Sequence, residues 1–319
     1  MNPLETRIYV FTGFLESGKT TFLVDTVCNT NFCDGEKTVI VLCEEGFVSV
    51  DPKEVAKHDA YVESVETLEE LTTEYFTMLR NKYHPTQVLL EYNGMWNIDD
   101  LLKVELPNRW DIVQILTTID ASTFNLYVQN NGLRSLLYQH CYKSDLIIIN
   151  RFNKKFMRKS MFRNNFKAMN PVAQLIYENI DGTINNDPDE SLPYDYKQKN
   201  LDIADHDFGI FCYDVMENAP RYANKHVKLK GKFIARDKII PNAFILGRYA
   251  MVCCEQDTSL IGIICRSEYA NQLIPDEWVI VEGTTSLEYD EETGGNIIIL
   301  NVEHLEGTPP LAYEYVTFD

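Results

Sequence analysis

The stretch 10–21 reads VFTGFLESGKTT and holds the spacing Gly13-x-x-x-x-Gly18-Lys19-Thr20. This is the phosphate-binding loop pattern. Gly13 and Gly18 allow backbone conformations closed to residues with a Cβ. Successive N–H groups can then turn inward as an anion nest. A helix beginning at the loop's end adds a partial positive charge. Lys19 can reach β- and γ-phosphates, and the Thr20 hydroxyl can ligate Mg²⁺. Glu16, Ser17 and Thr21 complete the candidate phosphate cradle.

Carboxylates recur at the matching places downstream. Glu44-Glu45-Gly46 follows an apolar run, and its acidic pair, Glu45 in particular, is a candidate for Mg²⁺ or its waters; a solvated acidic loop is the plainer alternative. Glu91-x-x-Gly94 follows another such run. In phosphate-loop NTPases an acidic residue there binds Mg²⁺ or orients water, and the glycine N–H meets the γ-phosphate. Lys19, Glu45 and Glu91 are therefore the catalytic candidates. A second metal candidate is Cys253-Cys254 with Asp257, joined by Cys265 or Cys43. Thiolates suit Zn²⁺, but neighbours in an extended strand point to opposite faces, so a bulge or a strand end would have to bring both sulfurs together.

These residues need elements to hold them. Apolar runs over 7–11, 38–43, 60–65, 87–91, 110–119 and 145–150 read as strands, and 68–83 reads as a helix from its spacing of Leu68, Leu71, Tyr75, Met78 and Leu79. Strands alternating with helices predict a doubly wound, mostly parallel α/β sheet, with ligands at the carboxyl ends of the strands. The basic segment 154–167 carries Phe156, Phe162 and Phe166, with Phe152 just before it, at roughly helical spacing. It predicts a helix with a solvated face over an apolar stripe, with docking of an acidic partner as the alternative. The acidic, proline-bearing run that opens segment 184–226 predicts a linker and connecting segment between a first domain, 1–183, and a second, 227–319. In the latter, strands over 227–235, 243–254, 260–266, 278–283 and 296–302 predict a small all-β barrel, OB-like in its economy.

The chain has 319 residues, 45% of them hydrophobic, and a net charge of −19 from 48 acidic and 29 basic residues. Such a surface disfavours nucleic acid and anionic membranes. No apolar run reaches a membrane span, and the N-terminal residues lack the pattern of a secretory signal, so a cytoplasmic protein is expected. The eight scattered cysteines then read as reduced thiols, mostly buried.

The ordered pieces TGFLESGKTT (12–21), EEGFVSVD (44–51), LLEYNG (89–94), TTIDA (117–121), DLIIIN (145–150) and NPVAQLIYENIDG (170–182) resemble the CobW-type GTPases, relatives of HypB and UreG. The later pieces GKFIARD (231–237), LGRYAMVCCEQD (246–257) and WVIVEG (278–283) are similar to a small domain associated with metal-linked permeases. The resemblance implies a nucleotide-binding GTPase with Mg²⁺, coupled to metal handling or to a permease or metalloprotein partner; no obvious arginine finger is visible in the sequence, so turnover is expected to be slow, with acceleration by a partner or by a homodimer. It also places base recognition at Asn150-Arg151-Phe152-Asn153, where the family carries Asn-Lys-x-Asp. Asp accepts two guanine N–H groups, whereas Asn offers one acceptor and a donor amide, which leaves GTP and ATP both open. The family often has Gly where Glu16 stands, and its Cys-x-Cys-Cys motif is replaced by ESVETL at 63–68. A non-catalytic, nucleotide-gated binding module and an ATP-preferring NTPase are the alternatives.

Overall fold

The structure is a computed structural model that describes residues 5–187, 192–254, 257–291 and 294–316, with no account of the side chains of 131, 251–254 and 257. The first half runs β1 (Thr6–Thr12), α1 (Lys19–Cys28), β2 (Thr38–Leu42), α2 (Pro52–Val55), β3 (Ala60–Ser64), α3 (Thr73–Tyr83), β4 (Gln87–Glu91), α4 (Ile98–Leu102), β5 (Trp110–Asp120), α5 (Phe124–Gln129), α6 (Asn131–Cys141), β6 (Leu146–Phe152), α7 (Lys159–Met169) and β7 (Gln174–Asn179). After it come β8 (Asn200–Asp202), α8 (Phe208–Glu217), β9 (His226–Arg236), β10 (Ala243–Cys254), β11 (Asp257–Arg266), β12 (Trp278–Asp290) and β13 (Gly295–Gly307).

The chain divides into two compact units: Met1–Met157 with Met169–Pro188, and Arg158–Ala168 with Asp189–Asp319. The first unit is built on a seven-stranded sheet in the order β3-β2-β4-β1-β5-β6-β7. Every neighbouring pair in it is parallel. Its inner strands are near-continuous apolar runs, VIVL in β2 and VLL in β4, because a parallel sheet is covered on both faces. The doubly wound α/β fold expected from the sequence is the one observed. The central β1 lies between β4 and β5, so the loop that leaves it opens at the carboxyl edge beside the ends of both.

The second unit is a closed barrel. Its strands follow β10-β11-β13-β12-β9, and β9 pairs back onto β10. All contacts are antiparallel except β11 with β13, and the short β8 adds to β9 in parallel. Five strands closed in this Greek-key manner form the OB-like barrel expected.

Two expectations about organisation need correction. Segment 184–226 is not merely a connector. It contributes β8, α8 and the single turn Ala219–Tyr222 to the second unit. Phe208, Phe211, Cys212 and Val215 of α8 pack with Val227, Leu229, Phe244, Leu246 and Val281 of the barrel. The helix is held at its far end by Asp214, which is 3% exposed and accepts from both Arg221 (3.0 Å) and Asn218 (2.9 Å). The other correction concerns the basic segment. The helix there begins at Lys159, Phe152 lies in β6, and Phe156 is 84% exposed, so only Phe162 and Phe166 form a buried pair on it. No described helix is long and apolar enough to cross a membrane.

Candidate functional site

β1 delivers the chain into the loop 13–18, and α1 starts at Lys19. Gly13 has φ +132°, and a Cβ there would lie 2.4 Å from the Thr118 carbonyl oxygen. Gly18 has φ +100°, and its Cβ would lie 2.4 Å from the Asn150 amide nitrogen. Both glycines are thus demanded by backbone conformation and by space. Glu16 also takes a left-handed conformation, φ 60°, at the position where the family often has glycine. For a residue with a Cβ that conformation costs about 1 kcal/mol. The side chain recovers a contact by accepting from the Phe47 N–H at 3.0 Å.

Lys19 is 3% exposed. Its ammonium donates to the carbonyl oxygens of Gly13 and Phe14, each at 2.9 Å, and is ion-paired with Glu44. The other Glu44 oxygen accepts the Gly94 N–H at 3.1 Å. Gly94 is pressed onto the loop: a Cβ would meet the Gly13 carbonyl oxygen at 2.5 Å. Asn93 ties the ends of β4 and β2 together, donating to the Cys43 carbonyl oxygen at 3.0 Å. The Thr20 hydroxyl donates to Glu91 Oε1 at 2.7 Å. Glu91 is 2% exposed, and its second oxygen is buried with no partner. Burial pushes its carboxyl up, against the pull of the Thr20 hydroxyl and the Lys19 charge. A buried, unsatisfied carboxylate oxygen beside a threonine hydroxyl is the donor set of a hard cation. The residues present therefore fit Mg²⁺, with Thr20 and Glu91 as its protein contacts.

Asn150, at the end of β6, donates from its amide to the Ser17 carbonyl oxygen, and its own Oδ1 is buried without a partner. Arg151 donates to the Glu16 carbonyl oxygen at 3.1 Å and to Asp120 at 2.5 Å. Ser17 bonds the Thr118 hydroxyl at 2.7 Å. Thr21 is exposed on the first turn of α1 and lines the cleft. Asn153 accepts the Lys155 N–H at 3.1 Å within its own turn. The cleft between these groups is lined by Gly18, Lys19, Thr20, Glu44, Glu91 and Arg151 among others.

The structure brings together Gly13, Glu16, Ser17, Gly18, Lys19, Thr20, Glu91, Gly94, Asn150 and Arg151, as the motifs expect. Glu45 lines a wider cavity together with Thr20, Glu91 and Gly94. Glu45 is exposed on the loop after β2, and its neighbour Glu44 takes the inward place. An acidic pair signals the loop, but only the backbone turn after β2 decides which member faces Lys19. The structure also places His140 against the start of the loop. It is 2% exposed in α6, bonds the Thr12 hydroxyl at 2.8 Å, and sits edge-on to Phe14 at 5.1 Å. Burial, then the Lys19 charge, push its pKa down to about 4. A lone histidine in a helical stretch gives no sequence signal.

The zinc candidates fare differently. The side chains of Cys253, Cys254 and Asp257 lie outside the described residues, although the backbone register pairs Cys254 with Asp257 at the β10–β11 turn. Cys43 and Cys265 belong to separate apolar cores, one in each unit, and burial pushes both thiols up. Among the described residues no group of three or more His, Cys, Asp or Glu side chains could hold a metal.

Residues 7–177 match the family model described as CobW/HypB/UreG, nucleotide-binding domain, and residues 180–317 match the DUF1980 C-terminal domain. No protein of curated function matches the chain. Among solved structures, the hydrogenase maturation factor HypB from Archaeoglobus fulgidus aligns at 17% identity and TM-score 0.40, over 56% of this chain and 83% of that one. A small single-stranded DNA-binding protein from Streptomyces coelicolor aligns at 11% identity and TM-score 0.19, over 27% of this chain and 94% of that one. The mitochondrial single-stranded DNA-binding protein Rim1 from S. cerevisiae aligns at 11% identity and TM-score 0.18, over 26% and 94%. With a parallel sheet, a glycine-bounded loop at its carboxyl edge and a family model matched over residues 7–177, the chain belongs to the CobW/HypB/UreG nucleotide-binding domain family and carries a DUF1980 C-terminal domain behind it.

Proposed function

We propose that the protein is a slow GTPase whose nucleotide state is coupled to metal handling through a partner protein, a permease or a metalloprotein. The observation that carries this reading is the convergence of Lys19, Thr20 and Glu91 on one cleft, with the Gly94 N–H joined to Lys19 through the Glu44 carboxylate. In it the loop amides and Lys19 bind the phosphates and stabilise charge developing on the transferred group. Thr20 and Glu91 would hold Mg²⁺, directly or through its waters, and the ion would supply charge neutralisation at the phosphates. Asn150 and Arg151 fix the loop from the β6 side and face the base. Within the cleft the guanidinium of Arg151 is engaged by Asp120 and the Glu16 carbonyl. It is therefore not poised as an arginine finger, and turnover by the isolated chain should be slow. The partner, or a second copy of the chain, supplies the acceleration.

The test is phosphate release from Mg-GTP by the purified chain, with Lys19→Ala beside it. Release slower than about 0.01 s⁻¹ that vanishes in the variant fits an enzyme lacking a finger. Binding with no release at all favours the nucleotide-gated module. Asn153, with its acceptor oxygen drawn into its own turn, supports a second reading in which ATP is preferred. A tenfold tighter complex with Mg-ATP than with Mg-GTP would establish that reading instead.

A further inference from the structure

Lys19 has three N–H bonds to give, and all three are taken: two by the carbonyl oxygens of Gly13 and Phe14, the third by the Glu44 carboxylate. The same carboxylate takes the Gly94 N–H with its second oxygen. Lysine ammonium and glycine amide are the pair of donors that a terminal phosphate needs in a phosphate-loop NTPase. One carboxylate spans both, with one oxygen on each. The Glu44 side chain is only 10% exposed and Lys19 only 2%, so water does not screen the pair as it would at the surface. Gly94 cannot retreat, because it lies against Gly13 and the Leu15 N–H. The loop that carries Glu44 is pinned a second time, where Glu16 accepts the Phe47 N–H.

We propose that Glu44 is an internal stand-in for the γ-phosphate: a triphosphate binds by displacing its carboxylate from Lys19 and Gly94, whereas a diphosphate binds with the carboxylate largely in place. The inference rests on the nucleotide-binding reading and deepens it. It makes Glu44 the residue that sets how strongly the site distinguishes a third phosphate. The displaced carboxylate frees the start of the loop 44–51, while the Glu16 tether to Phe47 holds its middle. A ligand that must first evict an internal competitor binds more weakly by the fraction of sites already vacated, and removing the competitor restores that factor. Glutamine at position 44 keeps the shape but loses the charge that holds the ammonium.

The experiment measures affinities of Mg-GTP and Mg-GDP for the full chain and for Glu44→Gln, with Glu44→Ala as a second variant in case the first refolds its bonds through the amide. Thermal unfolding of each protein is followed with and without nucleotide. We expect Mg-GTP to tighten by about tenfold or more and Mg-GDP to change by less than about threefold. Without nucleotide the variants should melt lower, since a buried ammonium loses its counter-charge, and Mg-GTP should raise their midpoint by more than it raises that of the parent. An unchanged GTP-to-GDP ratio in both variants overturns the proposal. So does a weaker Mg-GTP complex with Mg-GDP intact, because Glu44 would then be a ligand of the bound triphosphate and not its rival. If the parent binds neither nucleotide, the nucleotide-binding reading falls and this inference falls with it.

Discussion

A methyl group on residue 94 would sit 2.5 Å from the Gly13 carbonyl oxygen and 3.2 Å from the Leu15 amide nitrogen. Gly94→Ala must therefore move either β4's end or the phosphate loop. We expect Mg-GTP affinity to fall at least tenfold with little loss of fold, read by titration calorimetry beside circular dichroism. His140 offers a test of the packing beneath the loop. Its pKa lies at about 4, below the ordinary value. The unfolded chain thus binds a proton that the folded one refuses. Stability must fall as pH drops from about 6.5 towards 4, by up to roughly 3 kcal/mol from this group. His140→Gln, which keeps a polar partner for Thr12 but cannot titrate, should flatten the melting temperature over that window; an unchanged slope would mean another group is responsible. Asn153→Asp supplies the second acceptor oxygen that guanine's two N–H groups require. It should shift the preference towards GTP over ATP by about tenfold in a competition assay.

At the scale of the element, α8 decides whether the second unit is a barrel or a barrel with a helical plug. Phe211 is fully buried in it, against Tyr222 at 5.5 Å and Tyr194 at 6.1 Å. Phe211→Ala should cost about 3–5 kcal/mol, seen as a loss in the denaturation midpoint of the second unit. A cost under about 1 kcal/mol would show that the helix is peripheral. This helix also marks where the sequence stops being legible. Runs such as VIVL and LIII announce buried strands, and the loop glycines announce their turn, so the parallel sheet and most of the site follow from local pattern. The helix α8 is apolar nearly all round, so it lacks the polar face that reveals an amphipathic helix, and an acidic run precedes it in the sequence. The place of Glu44 is hidden for a different reason: two adjacent glutamates are chemically alike, and only the path of the chain after β2 separates them. The basic strand β9 shows the converse. Lys228, Lys230 and Lys232 alternate along it as a visible stripe, yet Lys232 pairs with Glu314 at 2.5 Å, and both Lys230 and Lys232 lie over the Trp278 ring at under 6 Å.

At the scale of the whole molecule, the charge of −19 outweighs that stripe. A labelled oligothymidylate should bind more weakly than about 10⁻⁴ M at physiological salt, despite the barrel's OB-like topology. Anisotropy that rises at micromolar protein would refute this. The assignment of α7 to the second unit carries a different consequence. The helix is synthesised between β6 and β7 of the first unit, yet it clusters with residues from Asp189 onward. Neither unit is a contiguous stretch of sequence. During synthesis β7 can complete its sheet while α7 still waits for a second unit more than a hundred residues from finished. A ribosome paused there holds the nucleotide unit while the basic, amphipathic α7 still lacks most of the residues it clusters with. A fragment cut at the acidic run would carry that helix permanently.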